Sequence, residues 1–495
     1  MFTSNSLQSQ ESANRDKFIK SISESAILRL ASAHHHLAPC SFFTPRSRDS
    51  YVAWGSFNVC YFVQVGSEDR CVVRIPLRPC LAVDPQSKIE FEIAAMKCVF
   101  PTLRRTHLTR LFPRTVMTST TIPIPRIRAY SSSADNSSND PLSAYMIVDF
   151  VDGKPLSIAL KEIGVEDRPD KLSGMFGSLA DILIQLRHLE FPSIGRLRYQ
   201  SDDIIVDASL MSIDINEQAL EGYRPLEVQA SFLDQNNTLK STKKYTDMLL
   251  RLAHNDFLNK QAEEGANAEI LYHLHLFSDH CKRWLDPNME KGPFVLVHGD
   301  LEPHNILVDG NMSIIAVLDW EWSRVIPAQF FHPPLWLEFT FQHLVIPAVY
   351  DTHMNTTFKR FLETVSEREA ALYGDQLLTA EWSRLSQNGG FLFAHALENW
   401  AGSDIDDVVY GYIHPKYYGG TEDLPGRVQA YLVENPLAAS VIDAKERRST
   451  THGDNLQRRK MSAGRQLFTS THSASAIAIG SFLAGVSFFI WKRIH

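Results

Sequence analysis

The sequence is poor in the features that mark most specialised classes of protein. Only six cysteines occur in 495 residues, five of them before residue 100, with no C-x-x-C pair and no Cys/His spacing of a zinc site. That scatter excludes a disulfide framework and fits the reduced thiols of a cytosolic protein. Basic excess is missing too: 49 Lys and Arg face 57 Asp and Glu, a formal charge of −8. Such a balance argues against nucleic acid as a partner. The first residues lack the charged start and apolar core of a secretory leader, and Glu11 and Asp16 count against a mitochondrial presequence. His34-His35-His36 is not read as a metal site, because three consecutive side chains cannot all face one ion from a helix or strand.

Long apolar runs are scarce, with one exception. Ala474 to Trp491 carries no charged residue and closes on Lys492-Arg493. It reaches the short end of what spans a bilayer, about 17–25 residues. A polar, basic stretch from Lys445 to Thr471 sets it apart from the rest. We therefore expect a linker over 441–473, a transmembrane tail anchor over 474–491 in an intracellular membrane, and a catalytic domain in the cytoplasm.

What is present is a change of periodicity along the chain. Residues 1 to about 15 read as disordered, within an N-terminal extension ending near 30, and Lys17–Ala33 as a helix. Trp54 to Val63 alternates around Gly55, and a turn at Gly66-Ser67-Glu68-Asp69 leads to Cys71–Pro76, which predicts an antiparallel hairpin. Ile89, Ile93, Met96 and Cys98 give 88–100 one apolar helical face. Ile122-Pro123-Ile124-Pro125 is extended, Ser131–Asp140 is a loop, and Tyr145–Val151 is a compact strand. From there to Phe294 the pattern is predominantly helical. Phe294–Val297 is a buried strand, Ile306–Val308 and Ile314–Leu318 form a hairpin over Asp309-Gly310-Asn311, and beyond Pro327 the chain is helical again.

The chemistry concentrates between these strands. Moving a phosphoryl group to a hydroxyl needs a carboxylate at the hydroxyl, oxygen ligands for magnesium, and a cation with a glycine-containing loop over the phosphates. Val297-His298-Gly299-Asp300 follows a strand, and Asn305 lies five residues after Asp300, the Asp-x-x-x-x-Asn spacing of a kinase catalytic loop. After the hairpin, Asp319 ends another apolar strand, where a second magnesium ligand is required. Glu302 and His304 read as solvent-facing, and Glu321 as a residue that orients Asp319 or meets a cationic substrate. The acidic group Glu398, Asp404, Asp406 and Asp407, beside Trp400 and Tyr410, reads as a solvated face. Trp54, Trp320, Trp322 and Trp336 read as core.

Val297–Trp320 resembles the aminoglycoside phosphotransferase and choline kinase superfamily of small-molecule kinases. Asp319-Trp320-Glu321 with Pro327, Ile122-Pro123-Ile124-Pro125 and Ile194-Gly195 are similar to its fungal phosphotransferase branch. The resemblance implies a two-lobed, protein-kinase-like α+β fold: a strand-rich N-lobe over 31–150 and a helix-rich C-lobe over 151–440. It implies Asp300 as base, Asn305 and Asp319 as magnesium ligands, and His298 as a brace for the loop. The backbone of Met146 to Asp149, Val148 included, would meet adenine. Gly55, Ser56 and Asn58 occupy the place of the family's nucleotide loop with a single glycine. Arg74 stands where the family has lysine, with Glu92 as its ion-pair partner; arginine keeps the charge but changes the geometry.

The reading is an ATP- and magnesium-dependent phosphotransferase acting on a hydroxyl of a small molecule, with no obligate protein partner. The segment from Tyr199 to Asn259 would line the acceptor site. Arg74 and the lone glycine motivate one alternative, a catalytically weak or inactive kinase-like scaffold. A protein kinase proper is disfavoured, since no arginine follows His298 and neither Asp-Phe-Gly nor Ala-Pro-Glu occurs.

Overall fold

The computed structural model describes residues 4–99, 120–131, 140–163, 168–200, 203–260, 266–337 and 346–447. Contacts divide the chain into two units. One is Met1–Asn259 with His273–Glu422, and a smaller one is Lys260–Tyr272 with Asp423–His495.

The large unit begins with two helices, α1 (Ser4–Ser21) and α2 (Glu24–Ala33). Six antiparallel strands follow: β1 (Cys40–Phe42), β2 (Val52–Trp54), β3 (Asn58–Val65), β4 (Asp69–Pro76), β5 (Ile127–Tyr130) and β6 (Met146–Asp149). Their order is β1-β3-β4-β6-β5, with β2 on the other half of β3's free edge. Alternation puts Val59, Tyr61, Val63 and Val65 of β3 beside Cys71, Val73 and Ile75 of β4 on one face. Ile22, Ile27 and Ala31 cover that face. In the N-terminal extension Ser4–Ser21 and Glu24–Ala33 are helical, and Ile22, Ile27 and Ala31 complete the core of the sheet. The helix α3 (Pro85–Val99) follows β4.

The C-terminal part of this unit is mainly helical and holds two three-stranded sheets and a two-stranded one. One three-stranded sheet pairs β7 (Lys154–Pro155), β12 (Ile306–Val308) and β13 (Ile314–Val317); the other pairs β8 (Glu190–Phe191), β11 (Phe294–Val297) and β14 (Arg324–Pro327). The stretch before Phe294 is not all helix. Arg196–Gln200 (β9) and Asp203–Asp207 (β10) pair as a hairpin, since Ile204, Ile205 and Val206 favour a pleated surface over a helix. The expected acceptor-lining segment thus starts as a strand, and its helices include Ile213–Leu220 and Thr242–Asn259.

In the smaller unit, the rings of Tyr272 and Tyr431 lie 5.5 Å apart, and Lys445 Nζ donates to the Lys260 carbonyl at 2.6 Å. Residues 436–447 are helical, so the expected linker at 441–473 begins inside a helix that buries Ile442. Among the described residues no helix is long and apolar enough to cross a membrane. The expected anchor at 474–491 lies outside the described residues, as does most of the loop at Ser131–Asp140.

Candidate active site

The strand β11 leads into a turn that only glycine allows. Gly299 has φ +82°, and a Cβ there would stand 2.1 Å from the Trp322 carbonyl oxygen. His298 braces the turn from beneath. It is 2% exposed, and its Nδ1 accepts from the Asp300 amide at 3.3 Å. The ring proton therefore sits on Nε2, which donates to the Leu318 carbonyl at 2.8 Å. Burial pushes its pKa down to about 4, so the imidazole is neutral.

Asp300 is half-buried at the end of this turn. Asn305 Nδ2 donates to the Asp300 Oδ2 and to its carbonyl oxygen, both at 2.9 Å. Burial, then the charges of Glu302, Asp319 and Glu321, raise the Asp300 carboxyl to about 7. With its amide hydrogens on Asp300, Asn305 has its side-chain oxygen left as a donor to a cation. The Leu318 amide bonds the Asn305 carbonyl at 2.8 Å, which brings Asp319 next to Asn305. Asp319 adopts a left-handed conformation, φ 62°, a strained state typical of functional positions. Two oxygen donors, a carboxylate and a carboxamide, fit a hard cation such as Mg²⁺. Trp336 Nε1 donates to the Leu301 carbonyl at 2.7 Å and braces the loop from outside. Glu302 and His304 are exposed, as expected, with His304 Nε2 4.0 Å from Asp300 Oδ2.

Arg74 of β4 bonds Glu92 of α3 at 2.5 Å through one nitrogen and Asp319 through another. The expected pair with Glu92 is present, and Arg74 also reaches the expected cation ligand. Burial works against its charge, but Asp319 and Glu92 outweigh that and hold it fully protonated. Lys88, which the sequence reading passed over, joins this cluster while only 3% exposed. It pairs with Glu321 and donates to Asn58 Oδ1 at 2.9 Å. Its signal was available: Lys88 lies four residues before Glu92, on the same helical face.

The covering hairpin divides into two parts. Gly55 and Ser56 are exposed at its turn, where the Gly55 amide bonds the Asn58 carbonyl at 3.0 Å. The carboxamide of Asn58 is buried and committed to Lys88 and Glu321, so it does not share the exposure of Gly55 and Ser56. Met146 and Val148 are also placed differently from the expected hinge. They sit in an inner strand with ladder partners on both sides, Arg74 and Tyr130 for the first, Val72 and Ile127 for the second. The Asp149 and Phe150 amides bond Arg126 and Arg70 carbonyls, and the Asp149 carboxylate is held by Arg126 at 3.1 Å and Arg128 at 2.5 Å. The chain leaves the sheet only at Val151–Gly153.

Two other expectations are corrected. Trp320 and Trp322 are core, but Trp54 is 53% exposed, because it ends the edge strand β2 beside the open turn. The acidic group is not a solvated face. Glu398 is buried against Arg324 Nε at 3.0 Å and the Tyr245 hydroxyl, and Asp404 is buried 3.3 Å from His395 Nε2. Arg324 donates to the Trp322 carbonyl at 3.2 Å, so Glu398 supports the back of the Gly299 turn.

Comparison with known proteins places these residues in context. Residues 52–330 match the model of the phosphotransferase enzyme family. No curated protein matches the chain significantly. Among solved structures, a macrolide 2′-phosphotransferase from Brachybacterium faecium is 15% identical, with 78% of this chain and 97% of that one covered and a TM-score of 0.33. A thermostable aminoglycoside phosphotransferase mutant in complex with ADP and hygromycin B is 14% identical, with 77% and 98% covered and a TM-score of 0.37. An ethanolamine kinase from Plasmodium vivax is 14% identical, with 81% and 84% covered and a TM-score of 0.37.

Proposed function

The chain belongs to the phosphotransferase enzyme family, and from that premise we propose that it transfers the γ-phosphoryl group of ATP to a hydroxyl of a small molecule. The observation that carries this reading is the grouping of Asp300, Asn305 and Asp319 on one turn and one hairpin end, opposite the guanidinium of Arg74. The scaffold alternative is not favoured, because all three oxygen-bearing side chains are intact and mutually placed.

Asp300, held by Asn305, orients the acceptor hydroxyl and takes its proton as the oxygen attacks phosphorus. Its raised pKa suits that proton transfer near neutral pH. Asn305 and Asp319 would hold Mg²⁺, which supplies charge neutralisation on the nucleotide phosphates. Arg74, positioned by Glu92, adds a permanent cation from the opposite side. The exposed turn at Gly55 and Ser56 covers the phosphate chain, with the Gly55 amide itself spent on the Asn58 carbonyl.

Thermal unfolding of the full chain with ATP, with and without magnesium, tests this reading. At about 100-fold excess over Kd, ligand linkage adds about 2.7 kcal/mol. The magnesium-dependent rise in Tm is expected to persist in Asp300→Asn and vanish in Asp319→Ala. Phosphoryl transfer to any acceptor should fall about 10²–10⁴-fold in Asp300→Asn. A folded protein that shows no shift with ATP or GTP would sink the proposal.

A further inference from the structure

Glu321 stands two residues past Asp319, and the phosphotransfer scheme above makes no use of it. Its Oε2 accepts from Asn58 Nδ2 at 2.6 Å, pairs with Lys88 Nζ, and lies 3.7 Å from Arg74 Nη2. Lys88 also donates to Asn58, so Asn58, Lys88 and Glu321 close a triangle, and all three are buried. Each vertex comes from a different element. Asn58 opens β3 just after the covering turn, Lys88 lies one helical turn before Glu92 on α3, and Glu321 belongs to the tight turn Trp320–Trp322 that follows Asp319. The Phe57 ring packs edge-on to Trp322 at 4.8 Å and joins the same hairpin to the same turn.

The charges explain why the triangle matters. Arg74 and Lys88 face Glu92, Asp319 and Glu321, two cations against three carboxylates. Arg74 touches Asp319 and has Glu321 only 3.7 Å away. Were Lys88 absent, Arg74 would be the nearest cation left to neutralise a buried Glu321, and the attraction at that range is strong in a buried site.

We propose that Glu321 is a positioning residue rather than a ligand of the cation. Held by Lys88 and Asn58, it fastens the covering hairpin and α3 to the turn that carries Asp319. Lys88 keeps it from drawing Arg74 away from Asp319. The inference rests on the phosphotransferase reading, whose failure the test below separates from its own.

The experiment uses the full chain as wild type, Lys88→Met, Glu321→Gln and the double variant. Tm without ligand and the Kd for ADP by calorimetry over a magnesium series are measured for each. Lys88→Met is expected to lower Tm and weaken Mg-ADP about tenfold, and the double variant to recover to within about threefold of wild type. Glu321→Gln keeps the wild-type magnesium requirement. A magnesium requirement raised by Glu321→Gln as much as by Asp319→Ala would make Glu321 a ligand and overturn the proposal. Additive losses in the double variant would overturn it as well. Should Lys88→Met fail to fold, a folded double variant supports the pairing and an unfolded one refutes it. Should wild type bind no Mg-ADP, the phosphotransferase reading falls, while the coupling between positions 88 and 321 in Tm still decides the positioning role.

Discussion

The turn at Gly299 and the covering half opposite it are built on opposite principles. In the turn, partners are close in sequence: Asn305 and Asp300 are five residues apart, His298 and Leu318 twenty, Ser323 and His298 twenty-five. In the covering half, Asn58 meets Glu321 across 263 residues, Arg74 meets Asp319 across 245, and Lys88 meets Glu321 across 233. The turn is a local device that needs little help to take its shape. The covering half completes its shape only once both parts of the unit are folded against each other, because Glu321, the carboxylate that offsets the burial of Lys88, arrives from the far part.

The largest effect expected from this difference lies at two glycines. Gly299→Ala places a Cβ 2.1 Å from the Trp322 carbonyl at a positive φ. We expect a loss of about 3 kcal/mol or more in urea unfolding, with activity abolished. Gly55→Ala meets no atom within 4 Å, and its stability should stay within about 0.5 kcal/mol of wild type. Equal losses at the two positions would break the comparison, since the open turn would then be as tightly built as the catalytic one.

Legibility in the sequence follows the same division. Asp300, Asn305 and Asp319 could be read from spacing, because a turn and a hairpin fix their separation along the chain. The pair Arg74–Glu92 could also be read, from a strand followed by a helix. Lys88 shares a helical face with Glu92 and could have been noticed, but its partner, and the bonds of Asn58, could not be read, since both depend on Glu321, which arrives from the far half of the unit. The same reason hid Glu398: beside Asp404, Asp406 and Asp407 it looks like surface charge, and only Arg324 and Tyr245 make it a buried partner. Helices over 4–33 were missed in part because the sheet face they cover is assembled from strands beyond them. Met146 and Val148 lie on an inner strand and not on the connector after it, and the two share one apolar run in the sequence.

Arg74 provides a sharper probe of the covering half, with a smaller effect. Its fork bonds Glu92 through Nη1 and Asp319 through Nη2, and a lysine ammonium cannot reproduce that two-pronged reach. Arg74→Lys keeps the charge and is expected to lose one charge-assisted bond, about 2 kcal/mol of unfolding free energy. Mg-ADP affinity in the same variant reports which partner was given up. A weakened affinity means that lysine stays with Glu92 and leaves Asp319. If stability and affinity both match wild type, the fork is not used, and the long-range half is less exacting than its geometry implies.

The smallest effect is a reference outside both regions. His353 is buried, and burial pushes its pKa to about 4. In the unfolded chain it titrates near 6.5, so the unfolded state takes up the proton first. Its contribution to stability is complete above about pH 6.5 and is lost as pH falls toward 4. His298 acts in the same direction, whereas Asp300, raised to about 7, gains its proton in the folded state and adds stability as pH falls from 7. The pH dependence of wild type therefore mixes opposite signs, and only a difference isolates one group. Between pH 6.5 and 5, wild type should lose about 1.5 kcal/mol that His353→Gln retains, measured by urea unfolding at each pH. A difference independent of pH would mean that His353 is not held neutral in the fold. The low pKa of His298, which rests on the same burial argument, would then need its own titration before the catalytic turn could be described as carrying a neutral imidazole.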